Sequence, residues 1–220
     1  MDDYSIEVPG RQLACAPLSS NRGRAYFRGM CAAANFAFSN RQVLMHRVRQ
    51  AFVGELGERV DPQLELVYDV AHNIAKVESL EGREHCVHRK GATRAFGPSM
   101  GEIPEAYRQT GQPVFIPGSM GTSSFVLVGT DEAAKVSLNS TCHGAGRQMS
   151  RTAAKKEVAG HELRRELESR GIVVRCPSNA ELAEEAPRAY KDVDRVVDAV
   201  VNAGIARRVA RLRPVGVLKG

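Results

Sequence analysis

The stretch Ser140–Arg151, STCHGAGRQMSR, sets one imidazole, His143, beside two glycines and two guanidiniums in a polar loop. A histidine ring nitrogen is a competent nucleophile near neutral pH. Gly144 and Gly146 let backbone N–H groups approach a phosphate, and Arg147 and Arg151 can neutralise its charge. The same residues also read as a glycine-rich turn before a helix, and the loop alone does not separate the two readings.

Three further segments combine chemistry with glycine or a strand end. CVHRKGATR, Cys86–Arg94, packs His88 beside Arg89, Lys90 and Arg94, a set able to bind phosphate or to place His88 on a metal, although a histidine at a strand end is also a common structural residue. PGSMGTSS, Pro117–Ser124, follows an apolar run and could lay backbone N–H groups along an anion, yet it lacks Walker A and Rossmann spacing and reads equally as a hairpin turn. DVAHNIAK, Asp69–Lys76, puts His72 and Asn73 at a strand junction, where they could be catalytic or could satisfy buried backbone groups, and the absence of partner spacing favours the structural reading. Gly118-Ser119 and Ser123-Ser124 do not form a G-x-S-x-G elbow, which argues against a serine hydrolase built on them.

The elements that must position these loops follow from periodicity. From Arg22 to Leu56 the apolar residues Phe27, Met30, Cys31, Ala34, Phe38, Leu44, Met45, Val48 and Phe52 recur at three- and four-residue steps without proline, which predicts one long amphipathic helix. Short β-rich runs then follow at Leu64–Val70, Ile74–Glu78, Cys86–His88, Val114–Ile116 and Phe125–Val128. Ser150–Val158 and His161–Ser169 predict a helix pair interrupted near Gly160 and capped by Gly171. Ile172–Arg175 reads as a strand, Asp192–Ala203 as a helix with a valine face, and Val209–Leu218 as a basic β-rich tail. This order predicts an α+β fold, a mixed β-sheet region flanked by helices, with no internal domain boundary over residues 1–220.

Composition agrees with a globular chain. Its 220 residues could bury roughly 70 % of their unfolded surface. Apolar residues make up 43 % and charged residues 25 %, and no apolar run approaches the roughly 20 residues that span a bilayer. The acidic N-terminus shows no secretory or transit signal, so the expected location is the cytoplasm. Five cysteines, odd in number and without paired ligand spacing, argue against a disulfide framework and a zinc knuckle. The net charge of +6 is distributed by segment, basic over Arg22–Arg49, His85–Arg94, Arg147–Lys156 and Arg207–Lys219, and acidic over Asn179–Pro187, which favours polyanionic partners.

Taken together, VHRKGATRAF, PGSMGTSSFVLVG, STCHGAGRQMSRTAAKK, EEAPRAYKDVD and the terminal PVGVLKG resemble, in order and over nearly the whole chain, the RtcB family of RNA ligases. That resemblance implies GTP- and Mn²⁺-dependent joining of RNA 3′-phosphate or 2′,3′-cyclic phosphate ends to 5′-hydroxyl ends, with His143 carrying GMP as a phosphoramidate. It implies His88 as a manganese ligand with Arg89 near the nucleotide. It further implies Pro117, Gly118, Ser119, Met120 and Ser124 as a nucleotide cradle completed by Gly144, Ala145 and Gly146. Lys219 would bind the guanine, Tyr190 would pack on the base, and Arg147 would hold an RNA phosphate.

The family's other metal ligands lie in an aspartate segment with a cysteine two residues on, in GNHF and in HSGSRG, none of which this sequence contains. The chain is therefore expected to be the C-terminal part of an RtcB-type fold. Three consequences are open: the C-terminal part of a ligase, either truncated or split from a separately encoded N-terminal half, a non-catalytic RNA-binding or regulatory remnant, or an inactive product that does not fold alone. His88 by itself would not hold a pair of Mn²⁺ ions.

Overall fold

A computed structural model of the protein describes residues 4–10, 13–57, 64–80, 82–119 and 121–213. Met120 and Lys219 lie outside the described residues. The chain gathers into two compact units, one made of Met1–Val67, Ile74–Glu78 and His85–His88, the other of Tyr68–Asn73, Ser79–Glu84 and Arg89–Gly220.

The first unit is dominated by α1 (Asn21–Leu56), whose 36 residues run for about 54 Å. Ser20 caps its start by accepting from the Gly23 N–H at 3.0 Å, and Gly57 ends it at φ +61°. The expected apolar stripe is there as a half-buried line, Phe27, Met30, Cys31, Ala34, Phe38, Met45 and Val48, while Leu44 and Phe52 stand exposed. The strand expected over Leu64–Val70 does not form. The Leu64 carbonyl instead accepts from Arg49 Nε and Nη2 at 3.0 and 2.6 Å, and Leu66 and Val67 face solvent, so the run has no buried apolar face to favour a strand. β1 (Asn73–Leu80) and β2 (Arg83–Lys90) pair as a two-stranded sheet around Gly82 at φ +76°.

The second unit has two cores. β4 (Pro113–Ile116), β5 (Ser124–Gly129) and β7 (Ala206–Leu212) form an antiparallel sheet in the order β4-β5-β7, with Ile116 opposite Phe125 and Phe125 opposite Arg211. α6 (Val193–Asn202) starts at the Asp192 cap and lays Val193, Val197 and Val200 on Val114, Ile116, Phe125 and Leu127. This is the valine face read from the sequence. Two further short strands, β3 (Ala92–Arg94) and β6 (Ser140–Cys142), pair antiparallel, and α2 (Ala133–Ser137) leads into β6.

The second core is helical. α3 (Arg151–Glu157), α4 (Gly160–Ser169) and α5 (Asn179–Glu184) gather around Val158, Leu163, Leu167, Val174, Leu182, Ala183 and Ala186. Ile172–Arg175 forms no strand, which corrects that expectation. Arg164 occupies the Val174 and Cys176 carbonyls at 3.1 and 3.3 Å, and the Val174 side chain goes into the helical core. The acidic segment from Asn179 is the amphipathic α5, capped by Ser178 through the Glu181 N–H at 3.1 Å.

The α+β class expected from the sequence is what the structure shows, with small sheets whose β3–β6, β4–β5 and β5–β7 ladders are all antiparallel. Among the described residues no helix is long and apolar enough to cross a membrane.

Two glycines give opposite tests of this packing. A Cβ on Gly160 would overlap the Asn179 carbonyl oxygen where α4 meets α5, so Gly160→Ala should lower unfolding stability by about 1–3 kcal/mol. A Cβ on Gly54, within α1, meets nothing within 4 Å, so Gly54→Ala should raise it by roughly 0.5–1 kcal/mol. Urea midpoints at unchanged slope measure both.

Candidate active site

His143 stands one residue beyond the end of β6. The β3–β6 register pairs Ala92 with Cys142, Thr93 with Thr141 and Arg94 with Ser140, so the next position of each strand brings Gly91 alongside His143. Gly91 turns the chain at φ +74°, and a Cβ placed on it would come 3.7 Å from the His143 ring. Its N–H donates to the His72 carbonyl at 2.9 Å, which carries the third piece in: the His72 and His143 rings lie 4.3 Å apart between centroids, tilted by 48°. Burial, then the neighbouring His72 and Lys90, push the His143 imidazole below its ordinary value, holding it as the neutral form whose free nitrogen can attack an electrophile. His72, read from sequence as structural, is therefore part of this site. His72 lies outside every motif of the resembling set, 70 residues of chain separate it from His143, and no local spacing connects the two.

The rest of HGAGR is latched to the segment 187–191. Gly146, at φ +75°, offers its carbonyl to the Lys191 N–H at 2.9 Å, and Gln148 N–H reaches the Ala189 carbonyl at 2.9 Å. Arg147 spends its guanidinium inside the protein. Nε donates to the Met149 carbonyl at 3.0 Å, Nη2 to the Glu184 carbonyl at 2.6 Å and Nη1 to the Tyr190 hydroxyl at 3.1 Å, with Glu185 3.5 Å away as counter-ion. Its charge also lies 4.9 Å from the Tyr190 ring centroid. The Tyr190 hydroxyl donates in turn to Glu185, and burial followed by that carboxylate raises the phenol above its ordinary value against the opposing pull of Arg147. Arg151 and Lys155 both pair with Glu184.

A cavity of about 430 Å³ opens beside this latch, lined by Gly118, Ser119 and Thr122 from one loop, Ala145 and Gln148 from the HGAGR segment, and Pro187 and Tyr190–Asp194 from the third. That volume suits a nucleotide-sized molecule. The structure thus brings Gly118, Ser119, Ala145 and Tyr190 of the expected set to one cavity. Pro117 and Gly144 adjoin, a Cβ on Gly144 coming 4.0 Å from Pro117.

The hairpin turn that the sequence allowed is there, joining β4 to β5, and Gly118, Ser119 and Thr122 of it line the cavity. Its own hydroxyls hold it. Ser124 Oγ accepts from Gly118 N–H at 3.0 Å and Thr122 Oγ1 from Ser119 N–H at 2.6 Å, so those two N–H groups are satisfied within the loop. Gly118 has no room for a side chain, since a Cβ would overlap the Ser123 carbonyl oxygen. Thr122, Gln148, Lys191, Asp192 and Asp194 also line the cavity and were not singled out from the sequence.

Arg89 and His88 are placed differently. Arg89 is buried to 2 % exposure and donates to Ser140 Oγ at 2.9 Å and to the Leu138 carbonyl at 3.1 Å, so its guanidinium braces the approach to β6. His88 belongs to the first unit, exposed on β2 with Nε2 3.6 Å from Cys86 Sγ. Among the described residues no three histidine, cysteine, aspartate or glutamate side chains gather as a metal site.

The family model for tRNA-splicing ligase RtcB matches residues 1–220. The chain belongs to the RtcB family. It is 57 % identical over 222 residues to the tRNA-splicing ligase RtcB of Archaeoglobus fulgidus, covering 99 % of this chain and 46 % of that protein. It is 50 % identical over 226 residues to the protein of the same name from Pyrobaculum aerophilum, covering 100 % and 47 %, and 54 % identical over 224 residues to that of Pyrococcus abyssi, covering 99 % and 24 %. The chain thus spans about half the length of the first two relatives and about a quarter of the third. In this RtcB chain the shared half holds the HGAGR loop, the hairpin loop and the cavity between them.

Because the surroundings of His143 disfavour its charged form, its titration midpoint should lie below 6.5, leaving the ring neutral as pH falls through the ordinary histidine range. Lys90→Met should shift the midpoint upward by removing a positive neighbour. Nitrogen-15 NMR of labelled histidine measures both, and a midpoint at or above 6.5 in the unaltered protein would contradict the electrostatic account.

Proposed function

We propose that the chain carries the nucleotide-transfer half of a GTP-dependent RNA ligase, joining RNA 3′-phosphate or 2′,3′-cyclic phosphate ends to 5′-hydroxyl ends in tRNA splicing or RNA repair. The observation that carries this reading is local. A neutral imidazole stands two residues from Ala145, which lines a nucleotide-sized cavity, and the same ladder and latch fix ring and cavity together.

In the first step a ring nitrogen of His143 attacks the α-phosphorus of GTP. A P–N bond forms, the α–β P–O bond breaks, and pyrophosphate leaves with the electron pair. An oxygen of the RNA 3′-phosphate then attacks the same phosphorus and returns the pair to the imidazole. The 5′-hydroxyl finally displaces GMP, forming the new phosphodiester. Pro117, Gly118, Ser119 and Ser124, with Gly144, Ala145 and Gly146, would shape the cradle, and Tyr190 would present its ring to the base. By resemblance Met120 and Lys219 join them, Lys219 at the guanine.

The resemblance also implies manganese on His88. The described residues offer Cys86 beside it and no third donor, whereas a transition ion wants several protein ligands. A manganese ion there would draw ligands from outside the described residues. A separately encoded N-terminal half is one source of them, and the cytoplasm is the fitting location for such a reaction.

Labelled GTP and Mn²⁺, supplied to the chain alone and together with the unmatched half of the A. fulgidus relative, test the proposal. An acid-labile label is expected on the chain, absent from His143→Ala and retained by Cys142→Ala. A label that survives His143→Ala sinks the assignment. No label in either arm, with RNA still bound in a salt-dependent manner, would leave the chain as a non-catalytic RNA-binding remnant.

A further inference from the structure

We infer that Arg89 is a positioning residue for His143, acting through the strained turn that feeds β6, an inference that rests on His143 being the nucleophile. The turn between α2 and β6 consists of Leu138 and Asn139, both left-handed at φ +51° and +52°. Two consecutive non-glycine residues in that region are costly, a leucine especially, and such a turn persists only when its surroundings over-determine it. Asparagine tolerates the left-handed region best when its side chain bonds locally, but the buried Asn139 amide finds no partner among the described residues. The Leu138 and Asn139 N–H groups are held locally, both donating to the Ala133 carbonyl of α2, at 2.9 Å for Asn139, and Ser140 Oγ reaches the Leu138 carbonyl at 3.0 Å; the further ties on the turn's carbonyls come from outside.

Arg89 supplies such ties from 50 residues away. One face of its guanidinium donates from Nη2 to the Leu138 carbonyl at 3.1 Å and the Asn139 carbonyl at 3.4 Å, and Nε donates to Ser140 Oγ at 2.9 Å. Both residues of the turn and the first residue of β6 are thus tied to one planar group, which a point-charge ammonium cannot reproduce. The Asn139 carbonyl also accepts from Ala95 N–H at 2.8 Å, joining the turn to the end of β3.

From that anchored turn the chain runs directly through Ser140, Thr141 and Cys142 to His143. Arg89 itself is two residues before Gly91, on which the His143 ring rests. The guanidinium therefore ties together the two chain segments that meet at the imidazole. Its burial at 2 % exposure leaves it no solvent-facing role. Displacing a reacting group by about 1 Å is enough to cost about a hundredfold in rate.

The test separates this claim from the ligase reading by looking at the ring and not at turnover. Arg89→Met and Arg89→Lys are compared with the unaltered chain for the nuclear Overhauser contact between the His72 and His143 rings, with circular dichroism and thermal unfolding as the measure of overall fold. The expected result is loss of that contact in both variants while secondary structure persists. Adding Leu138→Gly and Asn139→Gly to Arg89→Met, which removes the left-handed cost, should restore the contact at least in part. If histidine guanylylation is measurable, its rate should fall about a hundredfold in Arg89→Met with little change in the GTP concentration for half-saturation, and recover with the glycines. A folded Arg89→Met protein that keeps the ring contact overturns the inference whatever its activity. Should Arg89→Met fail to fold, the glycine-supplemented variant decides: a folded protein with the two rings still apart equally overturns it.

Discussion

A ladder of three residue pairs, Ala92–Arg94 against Ser140–Cys142, is the constraint on which the candidate site depends. It closes a loop of nearly 50 residues, and everything between, the β4–β5 hairpin and α2, must fold for that closure to be worth its entropy. The ladder is too short to be stable by itself. It is held by Arg89 at one end of the turn, by Gln112, which donates to the Arg94 carbonyl at 2.8 Å and accepts from Arg94 Nε at 3.0 Å, and by Ala95 at the edge of the apolar core. Its product is the meeting of His143, Gly91 and His72.

Arg89 and Arg147, two arginines in the motifs of the site, do not stand there as free counter-charges. Arg89 and Arg147 are both consumed by carbonyls, hydroxyls and one carboxylate, each spanning a long sequence separation. Buried guanidiniums of this kind are costly to desolvate and specify geometry more than they add stability. The electrostatic effect on His143 comes from burial and from two positively charging neighbours, and it acts in the direction a nucleophile needs: less proton, more free lone pair. The latch formed by Arg147, Tyr190 and Glu185 serves the neighbouring cavity in the same manner, fixing loop against loop without a strand of more than one bridge.

Long periodic elements were legible in the residues. α1 and α6 follow their apolar spacing because i, i+3, i+4 patterns need no distant partner to declare themselves. β4 and β5 were visible as apolar runs around a glycine-rich turn. The failures share one cause. Leu64–Val70 and Ile172–Arg175 have strand-like composition, but strand formation needs a neighbour, and in both places an arginine side chain took carbonyls that a ladder would have used. β3 and β6, three residues each, carry no periodicity to read, and α5 was masked by its acidic charge.

The sequence by itself determined the family, the α+β class, and which loops carry glycine beside chemistry, because motif order and apolar periodicity are local properties of the chain. Only the tertiary structure decided that His72 rather than a nearer residue lies against His143, that Gly118, Ala145 and Tyr190 line one cavity, and that Arg89 faces inward to the Leu138–Asn139 turn. Each of these joins segments tens of residues apart. Pairing at that range is set by how whole elements pack and by where buried donors find acceptors, which no local spacing encodes.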